Sequence, residues 1–218
     1  MATRLWIGSA AALVLFMILG FAVTMTPFSR LDVATAAALL GHGTQAAIVF
    51  TESGRTLPIT LIGLIGIGAL AALRMPLWLG IGVLVSQIFS TGVVELIKHA
   101  FHRIRPEHWL IYHETGYSYP SGHACTAIVF FGSWLLIALM APLPKPAKII
   151  SATLLFIWML GVDWSRLVLG AHYLTDVIGG TLFGLFWVFA LLAVLAQRST
   201  TLRDLLGSRE VARGQQVA

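Results

Sequence analysis

Residues 75–94, MPLWLGIGVLVSQIFSTGVV, are twenty consecutive positions without a charged side chain, closed by Glu95. A helix rises 1.5 Å per residue, so such a run reaches about 30 Å, the thickness of a bilayer's hydrocarbon core. Four more runs read the same way: 5–29 between Arg4 and Arg30, 56–73 between Arg55 and Arg74, 124–144 between His123 and Lys145, and 177–197 between Asp176 and Arg198. A sixth, shorter run covers 149–164 and carries Asp163 near one end, where a charge costs much less than at the midplane. Residues 33–51 are also uncharged, but Gly41, His42, Gly43, Thr44 and Gln45 interrupt them. That interval predicts short interfacial helices. The first run is long for a secretory signal and shows no small-x-small cleavage site before Pro27, so it predicts an uncleaved span.

The composition agrees. Of 218 residues, 58% are hydrophobic and 11% charged, with mean hydropathy +0.88. A soluble domain carries about 25% charged residues. A chain this poor in charge cannot coat a water-facing surface, which excludes a disordered chain, a collagen, a secreted disulfide scaffold and an ordinary cytosolic enzyme. The net charge of +5 comes from cations dispersed among apolar runs, which points to topology and anionic headgroups and away from nucleic acid. One cysteine, Cys125, permits no intramolecular disulfide and reads as a small packing residue. The expected architecture is all-α: a six-transmembrane-helix bundle over residues 1–197 with short interfacial helices, then a polar cytoplasmic tail over 198–218. Gly63, Gly66, Gly68, Gly180 and Gly184 suit close helix packing in lipid.

With the N-terminus inside, Arg4, Arg74, Lys145, Lys148, Arg198, Arg203, Arg209 and Arg213 fall on one side. Arg30, Arg55, Lys98, Arg103, Arg105 and Arg166 fall on the other. Setting aside Lys98, Arg105 and Arg166, which chemistry claims below, the bias makes both termini cytoplasmic.

The remaining polar residues collect in two loops that six spans must place on one face of the membrane. The first holds Lys98, Arg103, Arg105, Glu107, Glu114, Ser121 and His99, His102, His108, His113 and His123; the second holds Ser165, Arg166, His172 and Asp176. Lys98 and Arg105 are seven apart, two turns of one helix that Pro106 would end. Pro120-Ser121-Gly122-His123 opens a span, and the free amides of a helix N-terminus favour an anion. Arg166 adds a planar fork of donors suited to phosphate oxygens. His172 and Asp176, four apart, would share a helix face, the carboxylate fixing the tautomer of a nucleophilic imidazole. His123, from the other loop, could serve as general acid.

Lys98-x6-Arg105-Pro106, Pro120-Ser121-Gly122-His123 and Ser165-Arg166-x5-His172-x3-Asp176 resemble the three-part signature of the type 2 phosphatidic acid phosphatase (PAP2) superfamily, with no signature position departing from it. The resemblance covers nearly the whole chain and is greatest to small bacterial members acting on phosphatidylglycerophosphate or undecaprenyl pyrophosphate. It implies that His172 attacks phosphorus and becomes phosphohistidine, that Asp176 orients it, and that His123 protonates the leaving group. Lys98, Arg105, Arg166, Ser121 and Gly122 would hold the phosphoryl oxygens. It further implies no cofactor or metal, a membrane lipid phosphate as substrate, and a bacterial inner membrane with the site on its periplasmic or extracellular face.

Three other readings share these residues: a lipid phosphotransferase, a non-catalytic lipid carrier, and a vanadate-dependent peroxidase, whose usual large soluble domains are missing. Glu52 and Glu114 are expected to pair with Arg55 or Arg103. The extra histidines are expected to be solvated, and Trp109, Tyr112, Tyr117, Tyr119 and Trp164 to form an interfacial belt.

Overall fold

Within a bilayer every backbone N–H and C=O must find its partner inside the protein, and a helix does this within a single segment. The computed structural model, which describes residues 2–26 and 28–197, is accordingly helical at each uncharged run. The expected tail at 198–218 lies outside the described residues. Among the described residues, five helices are long and apolar enough to cross a membrane: α1 (Ala2–Met25), α5 (Trp78–Phe101), the span Gly122–Met140, α8 (Lys145–Val168) and α9 (Leu174–Gln197). The span Gly122–Met140 comprises α6 (Gly122–Thr126), a π-helical turn (Ala127–Gly132) and α7 (Ser133–Met140). The sixth apolar helix, α4 (Thr56–Ala72), is shorter at 17 residues. Between α1 and α4 stand α2 (Arg30–Leu39) and α3 (Thr44–Ser53), bent by 115° to one another. They are the short helices expected there.

Two spans run further than the charge pattern suggests. Helix α5 continues past Glu95 to Phe101, and α8 passes Asp163 to end at Val168. These extra turns carry Lys98 and Arg166, so Ser165 and Arg166 sit on a helix and not in a loop. The charges of Lys98 and Arg166 are tolerated because both side chains face protein: Lys98 is 8% exposed and Arg166 1%.

The bundle closes around Tyr119. Its ring stacks on Phe16 of α1 at 5.5 Å, meets Phe101 of α5 edge-on, and its hydroxyl donates to the Phe16 carbonyl at 2.8 Å. Tyr119 is fully buried, a pin in the core and not a member of the interfacial belt. The loop that it leads sits against α9 because Gly180 has no side chain; a Cβ there would stand 2.3 Å from the Ser121 carbonyl. Gly68, by contrast, faces open space and packs against nothing within 4 Å.

Candidate functional site

The site gathers where α5 ends, α6 begins, α8 ends and α9 begins, under the corner between α3 and α4. Lys98, in the last turn of α5, donates to Glu95 Oε1 at 2.7 Å. The helix does not reach Arg105. His102 takes a left-handed conformation (φ 50°) and its N–H returns to the Lys98 carbonyl at 3.0 Å, stopping α5 a turn early. Beyond it the chain is non-helical and its side chains alternate: Arg103 and Arg105 are buried and Ile104 is exposed. The two-turn relation expected of Lys98 and Arg105 is therefore replaced by a helix and a loop that meet.

Arg105 is held in place through its carbonyl acceptors. Its Nε donates to Gly116 O at 3.0 Å, Nη2 to Thr115 O at 3.1 Å, and Nη1 to Ala171 O at 2.8 Å. The same Nη1 stands 3.1 Å from His172 Nε2. A guanidinium only donates, so Nε2 presents its lone pair and the proton of the neutral ring resides on Nδ1. Burial first, then the charges of Arg105, Arg166 and Lys98, hold the His172 imidazole well below its ordinary 6.5. A neutral ring with an unprotonated Nε2 is a nucleophile once its lone pair is released.

His172 precedes α9 and does not sit on it, so the shared-face relation with Asp176 does not apply. The two meet instead through the turn: Nδ1 lies 3.4 Å from Asp176 Oδ2 without hydrogen-bond geometry. Asp176 is fully buried and does more than face His172. It accepts from Tyr173 N at 2.9 Å, as an N3 carboxylate reaching back over a helix start does. It also accepts from the Ser118 hydroxyl and from Arg103 Nη1. Arg103 Nη2 reaches Asp32 Oδ2 at 3.3 Å, and Asp32 Oδ1 accepts from Thr175 N at 3.0 Å. Asp32 also closes a capping box with Ser29 at the start of α2. Arg103 thus joins α2, α9 and the chain after α5, and stacks over Tyr173 at 4.3 Å.

Ser121 caps α6, its Oγ accepting from Ala124 N at 3.4 Å, while its own N–H goes to the Asp176 carbonyl at 3.0 Å. Gly122 and His123 follow as the first helical residues, whose amides have no intrahelical acceptor. His123 Nε2 meets the Thr51 carbonyl at 3.1 Å. Arg166 donates to Glu114 Oε1 at 2.8 Å and to the Thr51 hydroxyl. Glu114 therefore pairs with Arg166, with Arg55 at 4.0 Å, and not with Arg103. Burial works to raise the Glu114 carboxyl, but Arg166, Arg105 and Arg55 together hold it below the ordinary carboxylate value. Glu52 pairs with Arg55 at 2.8 Å as expected, and also accepts from the Tyr112 hydroxyl.

A cavity of about 730 Å³ joins these groups. Lys98, Arg105, Gly122, His123, Arg166 and His172 all line it. Ser121 and Asp176 stand behind the lining, the first shaping the turn and the second beneath His172. Among the described residues no three His, Cys, Asp or Glu side chains come together as a metal-ligating group. The cations, helix-end amides and unprotonated imidazole nitrogen are suited to gripping and attacking a phosphoryl group.

Residues 77–199 match the family model of the PAP2 superfamily. The chain belongs to that superfamily. This PAP2 chain is 34% identical over 131 residues to the lipid A 1-phosphatase of Rhizobium johnstonii, covering 56% of this chain and 49% of that one. It is 32% identical over 112 residues to phosphatidylglycerophosphatase B of Bacillus subtilis, covering 50% and 55%. The chain spans about half the length of these relatives. In fold, it superposes on the crystal structure of a transmembrane PAP2 type phosphatidylglycerolphosphate phosphatase from Bacillus subtilis with a TM-score of 0.75. That match covers 88% of this chain and 97% of that one at 20% identity. The PAP2 chain is thus a membrane protein with the helical fold expected from its sequence.

Arg103, Asp32, Ser118 and Thr51 are site-supporting residues that the sequence reading did not single out for this work. Arg103 could have been found from the Arg-Ile-Arg alternation at 103–105, which puts two arginines on one side of an extended chain.

Proposed function

We propose that this protein is an integral-membrane lipid phosphate phosphatase, hydrolysing the terminal phosphate of a phospholipid or polyprenyl pyrophosphate through a phosphohistidine. The carrying observation is the His172 Nε2 lone pair, 3.1 Å from Arg105 Nη1, in one cavity with His123, Lys98 and Arg166. In the first step Arg105 passes from Nε2 to a phosphoryl oxygen, and Nε2 bonds to phosphorus. The bond from phosphorus to the leaving oxygen breaks as His123 gives that oxygen a proton. In the second step water attacks phosphorus, its proton goes to His123, and the P–Nε2 bond breaks to free inorganic phosphate and His172. Lys98, Arg105, Arg166 and the Gly122 amide stabilise the equatorial oxygens in both steps, Ser121 shapes their turn, and Asp176 steadies the proton on Nδ1.

The substrate's chain stays in the bilayer while its phosphate enters the cavity, and the names of the relatives extend the candidate lipids to lipid A. The uneven share of Lys and Arg favours cytoplasmic termini and a site on the outer face, and the bacterial relatives support a bacterial inner membrane. Phosphate release by the purified protein should be measured on phosphatidylglycerophosphate, phosphatidic acid, undecaprenyl pyrophosphate and lipid A, with and without a second lipid as acceptor. Hydrolysis of at least one, lost in His172→Ala, is expected. Turnover that persists in that variant would overturn the nucleophile, and phosphate that appears on the acceptor lipid instead of as inorganic phosphate would make the protein a phosphotransferase.

A further inference from the structure

Thr51 lies outside all three signature stretches and outside the residues matched to the family, yet it touches two groups of the site. Its carbonyl faces His123 Nε2 at 3.1 Å, and its hydroxyl accepts from Arg166 Nη1. A carbonyl only accepts, so His123 Nε2 carries a proton and Nδ1, which has no hydrogen-bond partner among the described residues, remains as the atom that can exchange one. The carbonyl belongs to the last turn of α3, at the negative end of the helix dipole, and also accepts from the Gly54 N–H at 3.1 Å.

The contact is built and not incidental. Gly54, which ends α3, lies so near the ring that a Cβ would stand 2.8 Å from His123 Cδ2. Helix α3 is itself fixed on α8, the helix that carries Arg166. Phe50 fills the space over Gly161, where a Cβ would be 2.3 Å from its ring, and Trp158 Nε1 donates to Ser53 Oγ at 2.8 Å.

We propose that the C-terminal turn of α3 is a fourth component of this site, in which Thr51 and Gly54 are positioning residues that aim His123 Nδ1 at the leaving oxygen and tie Arg166 to the same turn. This rests on the phosphatase reading and assigns the general acid its orientation.

The test uses two esters that differ in their need for a proton. An alkyl lipid phosphate leaves as a strongly basic alkoxide; p-nitrophenyl phosphate leaves as a stable phenolate. Gly54→Ala should lower kcat/KM on the lipid phosphate by about 10²-fold, the usual worth of general acid catalysis, while changing kcat/KM for p-nitrophenyl phosphate less than about threefold, because kcat/KM ends at cleavage of the ester bond and leaves out the second step, which His123 also serves. Thr51→Val should raise the Ki for vanadate by about tenfold through Arg166, and Thr51→Ser should restore it. Equal losses of kcat/KM on both esters, or unchanged kcat/KM on the lipid in Gly54→Ala, would overturn the positioning role. So would vanadate binding indifferent to Thr51→Val. Vanadate binding by Gly54→Ala reports whether it has folded; were it lost, Thr51→Val and Thr51→Ser decide alone. Wild-type protein inert toward both esters would instead defeat the phosphatase reading.

Discussion

Arg105 and His172 are bound to each other by one hydrogen bond, Nη1 to Nε2 at 3.1 Å, across 67 residues of sequence. The same guanidinium that grips a phosphoryl oxygen in the proposed reaction thus holds the nucleophile's lone pair until the phosphate arrives. The pair fixes the ring's tautomer and, being beside a fixed positive charge, opposes its protonation.

The consequence for pH is direct. His172 is buried among cations and held well below its ordinary 6.5, so the acid limb of kcat/KM should fall with a midpoint below pH 6.5. A midpoint at or above 6.5 in the free enzyme would contradict the environment described. Stability follows the same sign: between the depressed folded value and 6.5 the unfolded chain binds a proton that the folded chain refuses. The contribution of His172 to stability should therefore decline as pH drops through 6.5, which thermal unfolding in detergent at stepped pH will register.

Arg103 neutralises two buried carboxylates, Asp32 and Asp176. Arg103→Met should destabilise the protein by about 3–5 kcal/mol, the usual cost of leaving buried charges unpaired. Arg103→Lys should recover only part, since one ammonium cannot reproduce the fork that spans both carboxylates. Unfolding temperatures within a degree of the wild type in both variants would remove Arg103 from its structural role.

Two glycines make a matched pair. Gly180→Ala pushes a methyl into the Ser121 carbonyl and should cost about 1–3 kcal/mol by overpacking, with activity falling because the Ser121-Gly122 turn shifts. Gly68→Ala meets open space and should be neutral or stabilise slightly by helix propensity. Comparable losses in the two variants, measured as unfolding temperature and phosphate release, would count against the close approach of α6 to α9.

Orthovanadate, a phosphate mimic, should inhibit competitively at the cavity of Lys98, Arg105 and Arg166. Chelation by EDTA should leave turnover unchanged, because Lys98, Arg105 and Arg166 supply the positive charge a phosphate needs and no described group of three ligating residues accompanies them. Activity lost to EDTA and restored by a divalent ion would require a different chemistry.

The spans and the eight candidate site residues were legible because they depend on local order: uncharged runs of bilayer length, and polar residues stranded among them. The end of α5 was not, because His102 stops the helix in a left-handed conformation without the glycine that usually signals one. Nor were the partners of Arg103 and Arg166. Asp32 is 71 residues from Arg103, and Thr51 is 115 from Arg166, so only the folded bundle brings them together. Of the two partners expected for Glu114, Arg55 stands at 4.0 Å, while Asp176 and Asp32 hold Arg103.

The cavity does not stop at the polar site. Its lining follows α5 from Lys98 through Glu95, Thr91 and Ile88 to Leu84, with Leu57 of α4 opposite. Fourteen residues of helix make that wall about 21 Å long, and Leu57 and Ile88 are some 70% exposed toward hydrocarbon. Any amphiphile of suitable length will compete for such a trough. Kinetic constants for the solubilised protein should therefore vary with the surfactant's tail and its mole fraction, and comparisons among lipids hold only when that medium is kept the same.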